Sequence, residues 1–238
     1  MYVTSAFFES DGVRGAVQVI DGRTGRVVRS VATGPGPKAV AVNPKTGIAY
    51  VTAATGVDGG AAVMAIEHGR VVATIPIGPF ERFYDNPFGL AVNPVTNTVY
   101  ASNPLDGFVY AIDGGSNAVV RSVGVGGEPT ALAVNPKTGL VYVATARQVV
   151  AINGVTQAVA RRISVGARPR GIAVDASQGV VYATTTGGAL VAIANGTSHV
   201  VAQAVKPNGV AVSRTGRVAV ADASRRSVAV FGREVGTT

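Results

Sequence analysis

The chain has 238 residues, 47% hydrophobic but only 6% aromatic, with 31 Gly, 12 Pro, no Trp and no Cys. The missing cysteine excludes disulfides, thiolate zinc sites and a cysteine nucleophile, and no run of about 18 apolar residues offers a helix that could span a membrane. The net charge of +8 is uneven, since residues 1–119 hold 8 Lys and Arg against 9 Asp and Glu while residues 120–238 hold 13 against 4; no basic run exceeds two residues, so the excess reads as a basic surface and not as a nucleic-acid interface.

In chain order, the first element is a strand, MYVTS, without the basic-then-apolar layout of a secretory signal, and a cytoplasmic protein is the expectation. VQVID and RVVRSVATG follow as two further strands. A unit then recurs: PKAVAVNPKTGIAYVTA from Pro37, PFGLAVNPVTNTVYASN from Pro87, PTALAVNPKTGLVYVAT from Pro129, PRGIAVDASQGVVYATT from Pro169 and PNGVAVSRTGRVAVAD from Pro207. The spacings are 50, 42, 40 and 38 residues, close to the roughly 40–45 of a four-stranded propeller blade.

Each unit has one grammar. Strand a is a short apolar run such as LAVN, closed by the turn NPKTG, where Asn bonds its own backbone, Pro presets φ and Gly accepts positive φ. Strand b (VYVAT), strand c (VVAIN) and strand d (AVARRISVG) follow, all Val/Ile/Ala runs bounded by turn residues. The chain opens at a strand b and closes with GVAVS, RVAVAD and SVAVF. The expectation is 22 strands in one all-β domain over 1–238, a six-bladed β-propeller whose first and last blades lack a strand; five blades is the alternative.

The tetrads YVTS, YVTA, YASN, YVAT and YATT, spread over nearly the whole chain, resemble the signature of the YVTN-repeat β-propellers, with lyase-type and lactonase-type propellers as more distant relatives. In a propeller strand a lines the central channel, and the d–a and b–c connections share one face. The resemblance implies that ligands sit on that face. The lyase-type relatives use histidine for proton transfer, and here neither His68, in a c–d turn, nor His199, in a strand d, falls there.

The loops of that face are therefore the place to look for departures from the repeat. From the strand-b Tyr to strand c the count is 15 residues after Tyr2 and 13 after Tyr50, against 7–9 in later units. The d–a junction, elsewhere GPGP, GGEP or GARP, expands to GPFERFYDNP with a loop over 79–86. Of seven Phe, five fall in or beside these segments: Phe7, Phe8, Phe80, Phe83 and Phe88. Tyr84 joins them, with Glu9, Asp11, Asp58, Glu81, Asp85 and Asp106. Apolar walls with a few polar groups describe a small-molecule pocket; aromatics that bury one another as a plug are the alternative.

Glu81, among aromatics that would raise its pKa, is the first candidate acid or base, followed by Glu9 and Asp85, with Tyr84 as a proton or hydrogen-bond donor. Phe7, Phe8, Phe83 and Phe88 would wall the ligand. Lys38, Phe88, Thr130, Arg170 and Asn208 hold one channel-mouth position in successive units, and Arg147, Arg168, Arg225 and Arg226 add charge nearby, so the ligand expected is a small molecule with a carboxylate or phosphate. No cofactor is implied. Asp11, Asp58, Asp85 and Asp106 offer hard oxygen ligands for a divalent metal, but at no recognised metal-loop spacing. NGT at Asn195 fits a glycosylation sequon and is set aside for want of a signal segment. Two functions follow: a small-molecule site, with cyclisation, lyase or hydrolase chemistry by carboxylate and phenol, or a non-catalytic scaffold binding a protein or polymer through the same loops.

Overall fold

The structure, a computed structural model, describes residues 1–9, 12–55, 60–79, 89–203 and 206–232, with residues 5–9 and 12–14 described in backbone only. Among them are 22 strands in six antiparallel sheets, and no helix. The chain divides into two compact units, 1–124 and 125–238.

The first unit holds three sheets. The first is β1 (Tyr2–Glu9), β2 (Gly12–Ile20) and β3 (Val27–Thr33). The second is β4 (Val40–Val42), β5 (Ala49–Ala54), β6 (Ala61–Glu67) and β7 (Arg70–Pro76). The third is β8 (Leu90–Asn93), β9 (Thr98–Asn103), β10 (Phe108–Asp113) and β11 (Ala118–Gly124). The second unit repeats the plan. Its fourth sheet is β12 (Ala131–Val134), β13 (Leu140–Ala144), β14 (Val149–Asn153) and β15 (Ala158–Ile163). The fifth is β16 (Pro169–Asp175), β17 (Val180–Thr185), β18 (Ala189–Ala194) and β19 (Thr197–Gln203). The sixth is β20 (Pro207–Val212), β21 (Val218–Asp222) and β22 (Ser227–Phe231). Within every sheet the strands pair in chain order, so each unit of sequence becomes one meander, with three strands in the first and last sheets as the repeat predicts.

Burial follows strand position. Every residue of β5 is buried, and all of β6 but Glu67, whereas the d strands β7 and β11 are mostly exposed. Val, Ile and Ala of the b and c strands pack between neighbouring sheets: Val17, Val51 and Ile66 between the first and second, Val63, Val99 and Ile112 between the second and third, Val149, Val181 and Val191 between the fourth and fifth. Such aliphatics contribute about 1.5–3 kcal/mol each when fully buried. The exposed d strands carry a β-bulge in their pairing with strand c, at Val19/Ile20, Ala65/Ile66, Ala111/Ile112 and Ala151/Ile152. A bulge and the charges of Arg29, Arg121, Arg161 and Arg162 blunt what would otherwise be open edges.

The tetrad of the repeat has a physical role. The strand-b hydroxyl accepts from a strand-a N–H of its own sheet: Ala39 N to Thr52 Oγ1 at 3.0 Å, Gly89 N to Ser102 Oγ at 2.8 Å and Gly171 N to Thr184 Oγ1 at 3.0 Å. Thr184 Oγ1 also donates to Asn208 O of the next sheet at 2.9 Å, and Thr4 Oγ1 to Lys38 O at 3.4 Å. One hydroxyl thus closes a hairpin and stitches two sheets, with both lone-pair and donor capacity used. The buried Asn43, Asn93 and Asn135 each accept from the N–H two residues on, which fixes the NP turn.

One expectation needs correcting. The stretch after Tyr2 is not a long loop: β1 and β2 stay in register from Tyr2↔Val19 to Glu9↔Gly12. VTSAFFE and VRGAVQV are both strand-forming, so pairing continues until only residues 10–11 separate the strands. Phe7, Phe8 and Glu9 therefore lie on β1, with their side chains outside the described residues.

Candidate functional site

Glu81, Phe83, Tyr84, Asp85 and Phe88, with Asp11 and Asp58, also lie outside the described residues. What can be described is the ground from which the 80–88 segment departs. After β7 the chain runs Ile77–Gly78–Pro79. Ala61 brackets Gly78, its O accepting from Ile77 N at 2.8 Å and its N donating to Gly78 O at 2.9 Å. From the third sheet, fully buried Asn103 donates through Nδ2 to both Ile77 O and Pro79 O, each at 2.9 Å. The matching positions of the second, fourth and fifth sheets are Ala53, Thr145 and Thr185. Of these side chains only the carboxamide has two donors with which to meet both carbonyls.

Over this segment sits a pair of ionisable groups. Asp106 accepts the Phe108 N–H at Oδ1 (3.0 Å) and the Tyr110 hydroxyl at Oδ2 (2.6 Å). Burial first, then the bond to Asp106 and its charge, push the Tyr110 pKa well above the ordinary phenol value. The phenol stays protonated at neutral pH and acts as a donor, so base chemistry would fall to carboxylates. Gly78 adopts φ +93°, and a Cβ there would lie 2.5 Å from Asp106 Oδ2 and 2.7 Å from Tyr110 Oη. Glycine is what lets the pair close down on the chain. The Phe108 ring, partly exposed, stands 6.5 Å from that of Tyr110 at a tilt of 50°.

Tyr110 is the residue that the sequence reading missed. Its signal was available: of seven tyrosines, five belong to the tetrads and one to the insertion. Tyr110 alone sits on a strand c, where the other sheets have Gln18, Met64 and Val150.

Lys38 is half-buried, its N–H donating to Thr52 O at 3.0 Å. In the second unit Arg170 and Asn208 are exposed, each just after a buried proline in an irregular stretch of a–b pairing. Arg168 does not stand as an open anion site, because it pairs with Glu128 at 2.6 Å, a surface pair of about 0–1 kcal/mol. Arg147 does meet a cavity, about 460 Å³, shared with Gly126, Gly127 and Arg162; the last donates to Val125 O at 2.6 Å. His68 is exposed. Among the described residues no group of three His, Cys, Asp or Glu is placed to hold a metal.

In solved structures the chain is similar to Kuenenia stuttgartiensis hydrazine synthase, with 16% identity, 97% of this chain and 95% of that one covered, and a TM-score of 0.59. It is similar also to a chain in a crystal structure of the mitotic checkpoint complex, with 14% identity, 96% and 74% covered, and a TM-score of 0.75. Both are propeller-type folds. The fold of this chain is a β-propeller. No protein-family model matches it, and no curated protein does. Identities this low speak for architecture, and architecture alone does not carry an activity.

Proposed function

We propose that the chain is a small-molecule-binding propeller of the YVTN-repeat kind, six-bladed, with its ligand at the loop-bearing end of the third sheet. The observation that carries this reading is the cluster of Gly78, Asn103, Asp106 and Tyr110. Elsewhere polar side chains close turns and stitch sheets; here Asn103 also holds the carbonyls of Ile77 and Pro79, and the Asp106–Tyr110 pair lies close against Gly78 between them. A rigid base is what a binding segment needs to hold a defined geometry. In this proposal Phe7, Phe8, Phe83 and Phe88 wall the ligand, and Glu81, Tyr84, Asp85 and Glu9 supply acid–base groups beside the Tyr110 donor. Partly exposed Phe108 favours a second reading, a scaffold that binds a protein or polymer by an aromatic patch.

The test is a thermal-shift screen of carboxylates, phosphates, fused-ring aromatics and divalent cations on the intact protein and on a variant lacking residues 81–86. A ligand at about 100 times its Kd adds about 2.7 kcal/mol, or roughly 5–11 °C for a chain of this size. The reading expects a hit that the shortened variant loses while remaining folded. A screen in which no hit is lost on deletion overturns it.

A further inference from the structure

On the fourth sheet Tyr142, Ala151 and Arg161 form a row, paired Tyr142↔Ala151 on β13–β14 and Ala151↔Arg161 on β14–β15. The row recurs as Tyr50–Ala65–Ala73 on the second sheet and Tyr2–Val19–Arg29 on the first. What covers its tyrosine depends on the c–d turn of the next sheet. On the third sheet that turn is Asp113 to Asn117, and Gly114 comes so close to Tyr50 that a Cβ would lie 2.9 Å from its Oη; Tyr50 is fully buried. On the fifth sheet the turn is only Asn195–Gly196, with φ +53° and +83°. It stops short of Tyr142, which stays half-buried.

The space left is a cavity of about 530 Å³, within the range of small-molecule sites. Ala151 is its floor, with Leu140, Ile163 and Ile193 as apolar walls. Ala160, the bulged residue of β15, also lines it, where the corresponding bulges of β3, β7 and β11 carry the larger Val28, Val72 and Val120. At the rim Arg161 Nη1 donates to Asn195 O at 2.9 Å. The guanidinium lies so close to Gly196 that any Cβ there would collide with it. One nitrogen is thereby tied to the turn, on a residue that is otherwise exposed. Burial raises the Tyr142 pKa, against an opposing pull from Arg161, so the phenol facing this space is a donor too.

We propose that this cavity binds a small organic monocarboxylate, its hydrocarbon body over Ala151 and its carboxylate on Arg161. A guanidinium tied at the rim of a pocket in which Leu140, Ile163 and Ile193 form an apolar wall beside the polar Asn135, Thr138 and Gln178 suits a planar anion with an apolar tail, and the tail is what separates such a ligand from a bare inorganic anion. The proposal does not depend on the insertion-end site, which lies in the other unit.

Benzoate and hexanoate are the probes, titrated by calorimetry against benzyl alcohol, hexanol and sulfate. Both carboxylates should bind, at least tenfold tighter than either alcohol or sulfate. Arg161→Gln should remove that preference. Ala160→Val, at an exposed bulge that already holds valine in three sheets, narrows the cavity with little risk to folding and should weaken both carboxylates severalfold. Deleting residues 81–86 should change nothing. Absence of carboxylate binding, equal binding of sulfate, or carboxylate binding unchanged by Ala160→Val overturns the assignment.

Discussion

Gly78→Ala is the substitution that most directly probes the base of the insertion. At φ +93° an L-residue pays a steric penalty of about 1–2 kcal/mol. The new methyl would also lie 2.5 Å from Asp106 Oδ2 and 2.7 Å from Tyr110 Oη, closer than atoms can approach. Both are ends of side chains and can swing away, but only by breaking the 2.6 Å bond between them. A hydrogen bond to a charged group contributes about 1.5–3 kcal/mol. Together the loss is about 3 kcal/mol, which for a protein of this length lowers Tm by roughly 6–12 °C.

The attribution can be separated from a general intolerance of alanine by a double-mutant cycle in denaturant. Tyr110→Phe removes the hydroxyl, so the bond is already gone when alanine is added. In that background Gly78→Ala should cost only the backbone penalty, leaving a coupling of about 1.5 kcal/mol between the two sites. Additive losses, within about 0.5 kcal/mol, would refute the claim that the glycine exists to admit the Asp106–Tyr110 pair.

Three further outcomes follow from single contacts. Tyr50 is fully buried, and its hydroxyl has no partner among the described residues; an unmade buried hydrogen bond costs about 1–3 kcal/mol, so Tyr50→Phe should leave the urea midpoint unchanged or raise it, and a clear drop would mean the phenol is satisfied. Gly196→Ala, at φ +83° and against the Arg161 guanidinium, should cost about 2 kcal/mol in wild type and markedly less beside Arg161→Ala; equal cost in both shows that the arginine is not what the glycine accommodates. Bonds from Ser116 N first, then the Ser116 hydroxyl and Gly115 N, hold the Asp113 carboxyl below its usual 3.8, so its contribution to stability is present above that value and is lost as pH falls below it. Asp113→Asn should flatten the loss of stability in acid while keeping the turn near neutral pH, since Asn153 makes the equivalent bonds on the fourth sheet; an unchanged acid limb would count against it.

Strand identity was legible in the sequence because it rests on local signals that repeat. LAVN, VVAIN and SVAVF are strands β8, β14 and β22 to the residue, each a β-branched run between turn residues that leave the backbone little choice. The failure after Tyr2 has the same root. The distance from one signature to the next points to a loop there, but length between signatures does not distinguish a loop from a longer hairpin. Only pairing does, and FFE and GVR can pair as readily as what precedes them. The site was less legible for a different reason. Asn103 acts on carbonyls 24 and 26 residues earlier, and composition is silent about such partners. Arg161 carries no signal of its own in the sequence, because its meaning depends on the length of a turn in the following sheet.

That dependence suggests how a repeat this uniform can acquire distinct sites. Two stitches recur between neighbouring sheets: a strand-b threonine to the next strand a, as in Thr4 to Lys38 and Thr184 to Asn208, and a strand-d arginine to the next c–d turn, as in Arg29 to His68 O at 3.1 Å and Arg161 to Asn195 O. Both end on backbone carbonyls, so they constrain the receiving sheet without dictating its side chains. A sheet can therefore change its turn length or a bulged residue and still be held by its neighbour. Lengthening the d–a junction after β7 and placing Ala160 beside the short Asn195–Gly196 turn are two such changes. Each alters the space around a fixed polar group, Tyr110 in one case and Arg161 in the other, while the hydrogen bonds that hold the sheets together stay the same.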